Sequence, residues 1–133
     1  MKTNIDFFLR LITAVILIQS LYFKFTGHAE AVHIFSTLGV EPWGRIALGF
    51  IELIIGIAIL LPRTKIFGIL GAIGLMIGAI GTHLFSPVGI IVHWEDKSDN
   101  GQLFGMAIVA FLFSTISFFI HFKRIKNNVY RAL

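Results

Sequence analysis

The chain has 133 residues, enough for one domain built around a single modest core. Hydrophobic residues make up 56% of it and Asp, Glu, Lys and Arg only 14%, where soluble domains carry about 25% charged residues. The formal charge is +4 and cysteine is absent, so disulfide frameworks, thiol–disulfide catalysis and Cys-ligated zinc or iron–sulfur sites are excluded for the chain acting alone.

The apolar residues are gathered into long blocks, as a bilayer demands. Most cations lie beside the ends of those blocks, which fits membrane orientation and speaks against nucleic acid as a partner. The first block runs from about Phe7 to Phe23, long enough to cross roughly 25–30 Å of hydrocarbon. Asp6 and Arg10 stand one helical turn apart at its start, where they can pair. Lys2 is the only cation before it and no A-x-A-like site follows, so it reads as a retained helix and not as a cleaved signal.

The connection after it holds Ala31, Ile34, Phe35 and Leu38 at i, i+3, i+4 and i+7, which predicts a short amphipathic helix over His28 to Leu38. The second block, about Gly44 to Leu61, is bounded by Pro42 before it and Pro62 after it. The third, about Lys65 to Phe85, follows a short turn, so the two are antiparallel neighbours. Its glycines, Gly68, Gly71, Gly74, Gly78 and Gly81, read as points of close helix approach in preference to a glycine-lined ligand cleft. Within the stretch Val88 to Asn100, Gly89-Ile90-Ile91-Val92 is extended or re-entrant, and Glu95, Asp96 and Asp99 make the far end acidic. Asp99 is the expected N-cap of the fourth block, about Leu103 to Phe122, with Gln102 placed as in a capping box.

Eight of the eleven cations (Lys2, Arg10, Arg63, Lys65, Lys123, Arg124, Lys126 and Arg131) fall on one side, which is expected to be cytoplasmic. An even number of spans then places both termini there. The expected fold is an all-α membrane protein, a four-transmembrane-helix antiparallel bundle with a short amphipathic helix in the first outer loop. It forms a single domain over residues 1–133 of the cell's inner (cytoplasmic) membrane.

Glu52 is the most informative residue. It lies about eight residues inside the second helix, roughly 12 Å below its outer end. An acid there costs at least about 2.5–3.5 kcal/mol, so it must face the bundle and find a partner or a proton. By depth, Gln19 and Lys24 on the first helix and His83 on the third converge on it, with Ser20 one turn before Lys24. Such a cluster is either a structural ion pair that fixes helix register or a site that binds or protonates a small ligand from the outer side.

The other polar groups carry less. His28 and His33 are about 140° apart on a helix and make a poor chelate. His93 with Glu95, Asp96 and Asp99 reads as a solvated loop in preference to a cation site. His121 is expected at the cytoplasmic boundary, and Trp43, Trp94, Tyr22 and Tyr130 as an aromatic belt. No phosphate loop, H-E-x-x-H, nucleophile elbow or metal motif is present.

The strings Tyr22-Phe23-Lys24-Phe25-Thr26, Leu38-Gly39-Val40-Glu41-Pro42 and Ile51-Glu52-Leu53 resemble the DoxX family of small four-helix membrane proteins. The resemblance continues through Leu60-Leu61-Pro62-Arg63 and Gly81-Thr82-His83-Leu84, covering roughly residues 8–122. That family is named for a subunit of a quinone-linked sulfur-oxidising enzyme, and its members are described as oxidoreductase components or membrane partners of soluble redox enzymes. Related families act in thiol redox, for which this chain lacks the cysteines. The positions matching the family pattern are Lys24, Glu52 and His83.

Three functions follow in order of expectation. The first is a redox-associated subunit binding a quinone or similar amphiphile near Glu52 and His83, with a soluble or membrane redox partner. The second is a non-catalytic carrier of a lipid or small molecule, and the third a scaffold for a partner protein. Alternating-access transport is disfavoured, since no paired half-helices or inverted repeat are visible.

Overall fold

The computed structural model describes residues 2–133, with side chains from residue 4 onward. Met1 and the side chains of Lys2 and Thr3 lie outside the described residues, and with them the Lys2 charge counted above. Five α-helices form among the described residues: α1 Lys2–Thr26, α2 Ala29–Thr37, α3 Trp43–Ala58, α4 Lys65–Phe85 and α5 Gln102–Ala132. Three of them (α1 over Asn4–Thr26, α4 and α5) are long and apolar enough to cross a membrane.

The boundaries differ from the sequence expectation at several ends. α1 begins five residues before Phe7, because Asp6 is drawn into the bundle instead of ending the helix outside it. α3 stops at Ala58, short of Leu61. Its last turn tightens there, with the Leu60 N–H bonded to the Ile57 carbonyl, since a residue before Pro62 is pushed out of the α region. α5 runs ten residues beyond Phe122, as its Lys- and Arg-rich end continues the helix as a polar extension. There Lys126 lies over the Tyr130 ring one turn on.

Two polar devices shape the connections. His28 caps α2, its Nδ1 accepting the Glu30 N–H at 3.3 Å. Between α4 and α5 the chain forms a hairpin of two short strands, β1 His93–Trp94 and β2 Lys97–Ser98, paired antiparallel. Asp99 holds this hairpin and the start of α5 together: Oδ1 accepts from Val92 and Gly101, and Oδ2 from Leu103. It therefore supplies the capping bonds expected of it from outside the helix. No reciprocal box forms, because Gln102 is already the first helical residue.

The four longer helices close a ring in the order α1, α3, α4, α5, and α2 packs against α1, α3 and β1 at one end. For orientation, that is the α2 end and the opposite one the terminal end. The apolar core is formed by Ala14, Leu17, Ile55, Ile59, Ile69, Ala72, Met76, Ala107 and Ala110. Close approach between α3 and α4 occurs where a Cβ on Gly68 would overlap the backbone of Ala58 and Ile59, and one on Gly71 would press on Ile55. Gly74, Gly78 and Gly81 have no neighbour in that space, so the expectation of close packing holds only for the first part of the stripe.

At the terminal end Asp6 is only 1% exposed, and Arg10 and His121 are buried beside it. Asp6 Oδ2 accepts from Arg10 Nε at 3.1 Å and from His121 Nε2 at 2.9 Å. Arg10 Nη1 also donates to the Ile59 carbonyl at 2.7 Å, supplying a cation and a donor to the C-terminal end of α3. His121 is thus a buried tie between α5 and α1 and not an interfacial side chain, because its ring has an ion pair to join.

Two outcomes test this packing by thermal unfolding of the detergent-solubilised protein. Gly68→Ala should cost about 1–3 kcal/mol by forcing α3 and α4 apart, while Gly74→Ala, with open space, should change stability by less than about 1 kcal/mol. Asp6→Ala leaves Arg10 buried without a counter-charge and should cost about 3–5 kcal/mol, most of it recovered when Arg10→Met is added.

Candidate functional site

Toward the α2 end the ring of helices opens around a cavity of about 510 Å³, lined from all five helices. The size falls within the range of small-molecule pockets. Gln19, Ser20 and Lys24 of α1, Glu52 of α3, and Thr82 and His83 of α4 are its polar lining. Ile16, Leu48, Ile55, Leu75, Met76, Leu103 and Met106 make most of the remainder apolar. Gly74 and Gly78 line it as well, so these glycines leave room where any side chain would fill it.

Lys24 and Glu52 form the ion pair that the depth argument anticipated, with Nζ 3.0 Å from Oε2. Ser20 bridges them: Lys24 Nζ donates to Ser20 Oγ at 3.2 Å, and Ser20 Oγ lies 2.8 Å from Glu52 Oε2. The same hydroxyl reaches the Leu17 carbonyl at 2.7 Å, and its one proton serves one of the two at a time. Among the described residues the hydrogen bond and the ion pair of the Glu52 carboxylate both run through Oε2, which leaves Oε1 uncommitted. Lys24 likewise spends two of its three N–H donors.

His83 and Gln19 line the same cavity but do not bond to Glu52. Nδ1 of His83 is 2.7 Å from the Gly89 carbonyl, and a carbonyl only accepts, so Nδ1 carries the proton. With Nδ1 so engaged, Nε2 is the ring atom left for the cavity. The ring is held edge-on to Phe104, with centroids 5.7 Å apart. Gln19 Nε2 donates to the Ile16 carbonyl at 3.1 Å and approaches Met106 Sδ, which leaves its carbonyl oxygen uncommitted. The site is a Lys24–Ser20–Glu52 triad with His83 and Gln19 as separate walls.

Two charged residues with a part in this site escape a sequence reading. Arg45 is buried, paired with Glu41 at 2.8 Å, and its Nη1 donates to the Lys24 carbonyl at the end of α1. It thereby fixes the backbone from which the Lys24 side chain reaches Glu52, and the Glu41–Arg45 spacing of one turn is the signal that marks it. Glu30 lies on the edge of the apolar face of α2, four residues before Ile34, with Oε1 buried and unpartnered. Among the described residues no group of three or more His, Asp or Glu side chains gathers as a metal site. His28 caps α2, His33 lies within that helix, and His93 lies exposed on the hairpin.

The pair can be probed by charge deletion. Lys24→Met strands a buried carboxylate and should destabilise by about 3–5 kcal/mol, whereas the Lys24→Met/Glu52→Gln double variant should unfold closer to the parent. A double-variant loss equal to the sum of the separate Lys24→Met and Glu52→Gln losses, measured by chemical unfolding in mild detergent, would show that the pair carries no coupling.

The sequence matches the model of the DoxX-like family over residues 8–116, a stretch that begins in α1, ends in α5 and includes every polar group of the cavity. No curated protein and no solved structure matches the chain. The family match covers most of the sequence, and the chain belongs to the DoxX-like family.

Proposed function

We propose that the chain is a four-span protein of the inner (cytoplasmic) membrane whose cavity binds a quinone or similar amphiphile, as a redox-associated subunit. α3 is taken as the fourth span. Its sixteen residues cover about 24 Å, and Phe50, Ile51, Ile54 and Ile57 present an apolar outward face suited to lipid. Placing both termini in the cytoplasm follows the cations Arg63, Lys65, Lys123, Arg124, Lys126 and Arg131 at the terminal end. The nine-residue α2, with Ala31 and Phe35 buried, is read as an amphipathic cover at the outer face.

The observation that carries the ligand reading is the cavity itself, in which an apolar lining meets one polar wall with unused hydrogen-bonding capacity. A quinone carbonyl needs donors, which Lys24 supplies. A quinol hydroxyl needs acceptors, which Glu52 Oε1 supplies, and His83 Nε2 does so whenever it carries no proton. One wall therefore suits both redox states of a quinone headgroup, while the apolar remainder takes the tail. A register device for a scaffold would need the ion pair but not a cavity of this size.

The carrier reading shares the cavity and differs in chemistry. It is favoured by the apolar lining and the absence of any intrinsic cofactor motif, and it predicts copurifying lipid without electron transfer. Titration of decylubiquinone into protein in lipid nanodiscs tests both. Saturable binding is expected. Glu52→Gln and His83→Ala should each weaken it roughly tenfold, the loss of one hydrogen bond to a charged or buried partner, and Gly78→Leu should abolish it by filling the cavity. Unchanged affinity in folded Glu52→Gln and His83→Ala proteins defeats the proposal.

A further inference from the structure

Beside the main cavity lies a smaller chamber of about 110 Å³, which shares Gln19, Ser20, Lys24, Ile34, Phe35, Leu103 and Met106 with it. The chamber adds Phe23, Glu30, Ala31 and Gln102, and so runs from Lys24 and Ser20, the α1 members of the triad, to Glu30 on α2 and Gln102 at the start of α5, while Glu52 lines the adjoining main cavity. It has room for a few waters, and its polar lining offers them partners. Glu30 is its carboxyl group. The residue is half-buried, yet its Oε1 is sealed from solvent and has no hydrogen-bond partner in the protein.

The groups around Glu30 come from three parts of the chain. Asp99, three residues ahead of α5, acts on it through a carboxylate already committed to three backbone N–H groups. His28, ahead of α2, takes the Glu30 backbone N–H on its Nδ1, and Lys24 of α1 stands across the chamber. Burial raises the Glu30 carboxyl above its ordinary range, and the charge of Asp99 raises it further against a smaller opposing effect of His28. Such a group holds its proton closer to neutral pH than a surface glutamate does.

We propose that Glu30 is the proton-exchange residue of this site, passing protons between water at the α2 end and the Lys24–Ser20–Glu52 triad through the hydrated chamber. The proton leaves the Glu30 carboxyl for a chamber water, which delivers one to Glu52. Glu30 is then reprotonated from outside, so charge and atoms balance without an oxidant. This deepens the ligand reading, since a quinone site needs a proton supply, yet it concerns the triad and is testable without a quinone.

The test is a pH jump on protein in lipid nanodiscs, following the Glu52 carboxylate band by infrared spectroscopy and assigning it by difference against Glu52→Gln. Glu30→Gln should slow the response at least roughly tenfold with its amplitude intact, and Glu30→Asp should restore it. Gln102→Leu, which makes one chamber wall apolar and leaves Glu30 in place, should slow it as well and serves if Glu30→Gln does not fold. An unchanged rate in the folded variants, or a Glu52 band that never responds to pH, overturns the proposal. Decylubiquinone affinity of the parent protein separates the two ideas: no binding in the parent with a response slowed by Glu30→Gln strikes only the ligand reading, and binding in the parent with an unchanged rate in the variants strikes only this one.

Discussion

Along the buried face of α1 the side chains of Asp6, Arg10, Thr13, Leu17, Ser20 and Lys24 follow one another at three- and four-residue steps. Charge sits at both ends of that face, where the surroundings are too apolar to solvate it. Each charge therefore has to be answered from inside the bundle, and the answers tie the helices together. At the terminal end Asp6 and Arg10 draw in His121 of α5 and the carbonyl end of α3. At the α2 end Lys24 draws in Glu52 of α3, and Arg45 clamps the carbonyl of Lys24 itself. In both places an arginine binds the exposed carbonyl end of a helix, where the backbone dipole favours a cation and the last C=O groups lack partners.

Between these two ends the ring is not uniformly packed. α3 and α4 touch backbone to backbone at Gly68 and press together at Gly71. They then part around Gly74 and Gly78, whose missing side chains leave the cavity wall bare. One stripe of small residues thus does two opposite things along its length. The difference lies in the neighbour: Ile59 and Ile55 fill the space before the first pair, and nothing fills it before the second. The triad sits where the helices part, so its unused donors and acceptors face a space a ligand can enter.

Much of this arrangement is legible in the sequence. Glu52 announces itself because a carboxylate in an apolar block must turn inward, and counting turns from the block ends brings Lys24 to the same depth. Ser20 falls on the same face, one turn before Lys24. The role of His83 is less legible, since its Nδ1 partner is a loop carbonyl, Gly89, and no residue pattern names a backbone acceptor. His121 misleads for a related reason. Next to Lys123 and Arg124 it looks interfacial, and only its contact with Asp6, 115 residues away, buries it.

The sequence by itself determined the helical class, the apolar blocks, the family and the residues that cannot face lipid. These follow from local composition, from the helical period and from the cost of a charge in an apolar setting. Only the tertiary structure decided where α3 ends, which glycines close a contact and which open a cavity, and that Glu30 brings an unpartnered oxygen to a chamber beside Lys24. Each of these depends on what stands opposite a residue across the bundle, and no periodicity along a single chain encodes the distance to a neighbour on another helix.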